Sequence, residues 1–119
     1  MTPEGARWLG TKARELTGRW PTHAVISHYH ADHSNGVAGY RDGEARPLVH
    51  ATSETRQAAI EKNLPVDDAR REALTQGKVP DESTAATIDL GDRQVRLVRR
   101  RGHTASDVTV EVDEPSLVF

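Results

Sequence analysis

The chain has 119 residues, 35% of them hydrophobic and 29% charged, which suits one soluble globular domain with a modest core and excludes a disordered chain. With 16 basic and 18 acidic side chains the net charge is −2, so nothing in the whole-chain charge points to nucleic acid or an anionic membrane. No apolar run is long enough to cross a bilayer, and the absence of cysteine excludes disulfides and thiolate-held zinc.

Thr2-Pro3-Glu4 reads as a helix start, with Thr at the cap, Pro in the first turn and an acid at the positive dipole end. Trp8, Leu9, Ala13 and Leu16 follow at helical spacing, and Gly18 and Pro21 end the helix. Thr22 to Ser27, with Ala24-Val25-Ile26 at its centre, suits a buried strand. Ser34-Asn35-Gly36 marks a turn opening a short helix to Tyr40, and Arg41-Asp42-Gly43 a second turn. Pro47 to His50 reads as another buried strand, and Thr52 or Ser53 caps a helix to about Lys62, stopped by Asn63-Leu64-Pro65. A helix is expected from about Asp67 to Gln76, then a polar loop from Lys78 to Ala86. Thr87 to Leu90, Gln94 to Arg99 and Val108 to Val112 read as strands, with Gly91-Asp92 turning between the first two, and Leu117-Val118-Phe119 as a last strand. One α/β domain over residues 1–119 fits this order better than two.

The unusual feature is His28-Tyr29-His30-Ala31-Asp32-His33, which holds three of the six histidines. Without cysteine, any metal must be held by imidazole and carboxylate. In extended chain, His28 and His30 would point the same way and reach one metal, because the strand period is two. A tight turn after His30 would aim Asp32 and His33 at a second. Ligands at the carboxyl end of a buried strand sit on a rigid support at an edge where a pocket can open. His103, in Gly102-His103-Thr104 after the strand Gln94 to Arg99, would complete a three-histidine site with an open fourth position for water.

His28 to His33 is similar to the HxHxDH signature of the metallo-β-lactamase superfamily. Gly36 matches the glycine that commonly follows it, and Gly102-His103-Thr104-Ala105-Ser106-Asp107, about 70 residues later, resembles the family's GHT element. The resemblance spans Thr2 to Phe119. It implies His28, His30 and His103 on a first metal and Asp32 and His33 on a second. Asp32 would also orient hydroxide and assist proton transfer, the catalytic role here. The implied fold is α/β, part of an αββα sandwich: roughly one half, without the first strands and the C-terminal half. The family's bridging Gly-Asp and last histidine would lie beyond Phe119.

The implied function is that of a zinc-dependent hydrolase with a binuclear site. Metal-bound hydroxide would attack an ester, thioester, lactone, amide or phosphoester of a small-molecule substrate. Two Zn2+ are expected in an intact fold. One ion, or weak binding without catalysis, is expected of these 119 residues alone as a fragment or truncated gene. The alternatives are a mononuclear Fe2+ enzyme similar to the persulfide dioxygenases and a non-catalytic metal-binding module. No nucleic acid or membrane partner is expected, the location is expected to be cytoplasmic, and an uncovered sheet face would favour self-association.

Around the cluster, Asp107 is read either as a carboxylate orienting a ligand histidine or as a cap on the turn before Val108. His50 is a candidate for the same outer role, weighed against a satisfied core-edge histidine. His23 is expected in solvent. Arg93, Arg96, Arg99, Arg100 and Arg101 are read as an exposed sheet face, Trp8 and Trp20 as core or interface. Asn63 to Ala86 is either a lid over the site or a surface hairpin of helices.

Overall fold

The computed structural model describes residues 1–41, 47–63, 86–113 and 116–119. The expected helix at 67–76 and all but the last residue of the expected loop at 78–86 lie outside those residues.

α1 spans Pro3–Thr17. Thr2 caps it, its Oγ1 accepting from Gly5 N at 3.2 Å, and Gly18 ends it in the left-handed region at φ 76°. The chain then enters β1 (His23–Val25), α2 (Ala31–Ser34) and a 3-10 helix at Val37–Tyr40. α1 packs on that 3-10 helix so closely that a Cβ on Gly39 would lie 1.9 Å from Pro3 O. Trp20, half-buried, donates from Nε1 to Tyr40 O at 2.7 Å, whereas Trp8 is 59% exposed and has no place in the core. β2 (Leu48–His50) pairs parallel with β1, Ala24 opposite Val49. α3 (Ser53–Lys62) follows, capped by Thr52 through Thr55 N at 3.0 Å.

β3 (Ala86–Asp89), β4 (Gln94–Arg100), β5 (Asp107–Val112) and β6 (Leu117–Val118) form an antiparallel sheet in chain order. Gly91 turns the β3–β4 hairpin at φ 94°, its N–H held by Asp89 Oδ1 at 2.8 Å. Val108 N donates to Ser27 O at 2.8 Å and ties β5 to the segment leaving β1.

Two apolar clusters back these sheets. Ile26, Val37, Val49, Ala51 and Ala59 join β1, the 3-10 helix, β2 and α3. Ile88, Leu97 and Val108 line one face of the antiparallel sheet, with Val25 packed against them. The opposite face carries arginines matched by carboxylates: Arg96 and Arg100 reach Glu111 at 3.2 and 2.6 Å, and Arg96 also reaches Asp113 at 3.0 Å. Arg96 and Glu111 are register partners, so strand pairing itself sets opposite charges side by side. Among the described residues no helix is long and apolar enough to cross a membrane.

Candidate metal centre

β1 ends at Val25, so His28 and His30 do not lie in extended strand as the period-two argument supposed. They sit in the loop between β1 and α2, and His30 is the residue that caps α2, at φ −55° and ψ 148°. The loop sets the His28 and His30 rings edge to face at 4.9 Å. His28 is buried, His30 half-buried and His103 exposed, and one ligand nitrogen of each lies within 4.8 Å of the other two. His103 Nε2 is 3.0 Å from His30 Nδ1. The rings of His28 and His103 stand edge to face at 4.7 Å, those of His30 and His103 at 4.8 Å.

This donor set fits a tetrahedral metal. At metal–nitrogen distances of about 2.0–2.1 Å, tetrahedral geometry spaces the nitrogens about 3.3 Å apart, so small ring rotations close the site. Burial, and then repulsion from His33, His103 and His30, lower the His28 pKa against the opposing pull of Asp107. His28 is thereby held in the neutral form, the form that binds metal.

Asp32 and His33 occupy the first turn of α2, with Asp32 Oδ2 3.3 Å from His33 Nε2. The His33 ring lies 4.0 Å from that of His28, which places this pair beside the three histidines. Among the described residues it is not joined by a third close ligand group of its own. Asp32 is exposed.

Asp107 takes the capping role considered for it. Its carboxylate accepts from Thr104 N at 3.0 and 3.1 Å and from Thr104 Oγ1 at 2.5 Å, capping the turn that carries His103. Burial, the largest single influence, pushes its carboxyl up. The Thr104 bonds, a backbone bond from His103 and the attraction of His28 together outweigh burial and lower it. Asp107 thus stays an anion that attracts the charge of His28.

His50 is turned to a different partner. Its Nε2 lies 2.9 Å from His23 Nδ1 and the two rings stack at 5.2 Å, so the structure places it with His23 and not beside the three-histidine group. His23, expected in solvent, is half-buried in that pair.

Ser27 escaped the sequence reading. Its Oγ lies 3.1 Å from His28 Nδ1 and 3.2 Å from His33 Nδ1. A hydroxyl has two lone pairs and can accept from both Nδ1–H groups, leaving both Nε2 lone pairs for metal. Its position directly before the first histidine was the available signal.

The family model of the metallo-beta-lactamase superfamily matches residues 2–119. Among solved structures, the fold is similar to the crystal structure of BLEG-1 B3 metallo-beta-lactamase. The TM-score is 0.64 at 16% identity, over 96% of this chain and 55% of that one. No curated protein matches the chain. The chain belongs to the metallo-β-lactamase superfamily, and its α/β fold is a partial version of that family's fold, spanning about half the length of that neighbour. Membership supports a metallohydrolase-type function, and the three histidines are a set that could hold the metal ion typical of the family.

Proposed function

We propose that the chain carries the first-metal half of a zinc-dependent hydrolase site. The carrying observation is the convergence of His28, His30 and His103 on one point from two distant loops. A zinc ion held there would lower the pKa of a bound water to about 7 and supply a nucleophile at neutral pH.

The chain's own residues define the rest. His28 is fixed by burial and by Ser27, and His103 by the Thr104–Asp107 turn. Asp32, exposed on α2, would hold and pass a proton to a leaving group, the role proposed for it. His33, with Asp32, would serve a second ion. The substrate class proposed is a small ester, thioester, lactone, amide or phosphoester.

The test is metal analysis of protein purified without added metal, followed by hydrolysis assays on those five classes with zinc and with chelator. About one zinc per chain and chelator-sensitive hydrolysis support the proposal. Iron at about one per chain favours the dioxygenase reading, and zinc bound without turnover on any class favours a non-catalytic module. Firm binding of two zinc ions would overturn the view that the second set is incomplete here.

A further inference from the structure

The ligand histidines stand on loops, where no strand ladder fixes them, yet their nitrogens must be held to about 0.5 Å for firm metal binding. α3 touches both loops. α3 is 10 residues long, a rigid rod of about 15 Å.

At its first turn Thr55 Oγ1 lies 3.1 Å from Ser106 O and 3.0 Å from Ser106 Oγ. Each hydroxyl has one hydrogen, so Thr55 donates to the carbonyl while Ser106 donates back to Thr55. Both residues are buried. Ser106 belongs to the turn that carries His103, and its N–H is held by Thr104 Oγ1 at 3.3 Å.

At the other end Asn63, the C-cap of α3, donates through Nδ2 to Tyr29 O and to Ser34 Oγ, the latter at 3.1 Å. Ser34 Oγ donates to the same Tyr29 carbonyl at 3.0 Å. Tyr29 is the residue between His28 and His30, and the Lys62 ammonium sits 4.7 Å from the centre of its ring. Between the two ends Ala59 is fully buried against the cluster of Ile26, Val37 and Val49, which backs the helix.

We propose that α3 is a brace setting the distance between the His28–His30 loop and the His103 loop, with Thr55 and Asn63 as positioning residues for the metal centre. The proposal rests on the metal-centre reading above.

The test is Co2+ titration of the full chain, comparing wild type, Thr55→Val, Thr55→Ser and Asn63→Ala. The readouts are the ligand-field spectrum, the Kd by competition with a chelator, and the metal-free melting temperature. Thr55→Val keeps shape and removes the hydroxyl, and Thr55→Ser restores it. The expected result is about 10–100-fold weaker Co2+ binding and an altered spectrum for Thr55→Val and Asn63→Ala, as for other outer-shell losses, with Thr55→Ser close to wild type. Folded Thr55→Val and Asn63→Ala proteins with wild-type Kd and spectrum overturn the brace, whatever their melting temperatures. So does Thr55→Ser binding as weakly as Thr55→Val. If Thr55→Val does not fold, Asn63→Ala, at a half-buried helix end, decides alone. A wild-type chain that binds no Co2+ overturns the metal-centre reading and the brace with it, and that control separates the two failures.

Discussion

His103 Nε2 faces His30 Nδ1 at 3.0 Å although 73 residues separate them in sequence. Without an ion, one of the two nitrogens carries the hydrogen between them. With an ion, both lone pairs would point at the metal and that hydrogen would sit on the other nitrogen of its ring. His103→Ala should therefore reduce zinc content from about one per chain to near zero, and its loss in affinity should exceed the roughly 10–100-fold typical of outer-shell changes. Elemental analysis after gel filtration measures the content. Binding unchanged in His103→Ala would remove this residue from the site.

Ser27 makes a subtler prediction. Its hydroxyl touches the Nδ1 atoms of both His28 and His33. Ser27→Ala leaves the ligands in place but removes the acceptor that favours Nδ1–H on both rings. Metal affinity should fall by about 10–100-fold with little change in melting temperature of the metal-free chain. Ser27→Thr, which keeps the hydroxyl, should restore most of the affinity. The comparison can be made by zinc competition with a chromophoric chelator.

The cluster was legible because its residues are adjacent in sequence and chemically restricted: without cysteine, His28, His30, Asp32 and His33 have few other common reasons to crowd together. The strands were legible from their apolar patterning, to within a residue or two for β3, β4 and β5. The loop carrying the ligands was not, because β1 ends three residues before His28 and loop conformation leaves no periodic trace. Nor was the pairing of His23 with His50, since it depends on the parallel register of β1 and β2, where Val25 and not His23 lies opposite His50. Thr55, Ser106 and Asn63 are ordinary polar residues in sequence, and only tertiary contact gives them a joint role.

Gly39 tests how α1 is seated. A Cβ there would meet Pro3 O at 1.9 Å and Pro3 C at 2.7 Å, backbone atoms that cannot rotate away. Gly39→Ala must push the start of α1 off the 3-10 helix, and a loss of about 3 kcal/mol or more is expected. Gly18→Ala has open space around it, so only its φ of 76° opposes the change, at a cost of about 1–2 kcal/mol. Urea unfolding of both variants should rank Gly39→Ala well below Gly18→Ala. Equal losses would mean that α1 is not held this closely.

The His23–His50 pair predicts a pH dependence separate from metal binding. Burial, and then the nearby charges of His23 and Arg56, lower the His50 pKa below its usual 6.5. Arg56 is itself anchored on Val49 O and Ala51 O, at 3.2 Å and 3.3 Å, so its charge is held beside the pair. A histidine with a lowered folded-state pKa binds fewer protons folded than unfolded in the window below 6.5. Its contribution is then complete above the unfolded pKa and is lost as pH falls toward the folded one. Measured in chelator, the metal-free chain should lose stability between about pH 7 and pH 5. His28 adds a slope of the same sign, so the comparison of wild type with His50→Gln isolates the pair. Removing the titrating ring should flatten the pH profile of the melting temperature without abolishing it. An identical slope in wild type and His50→Gln would show that His50 binds protons equally in the folded and unfolded chains.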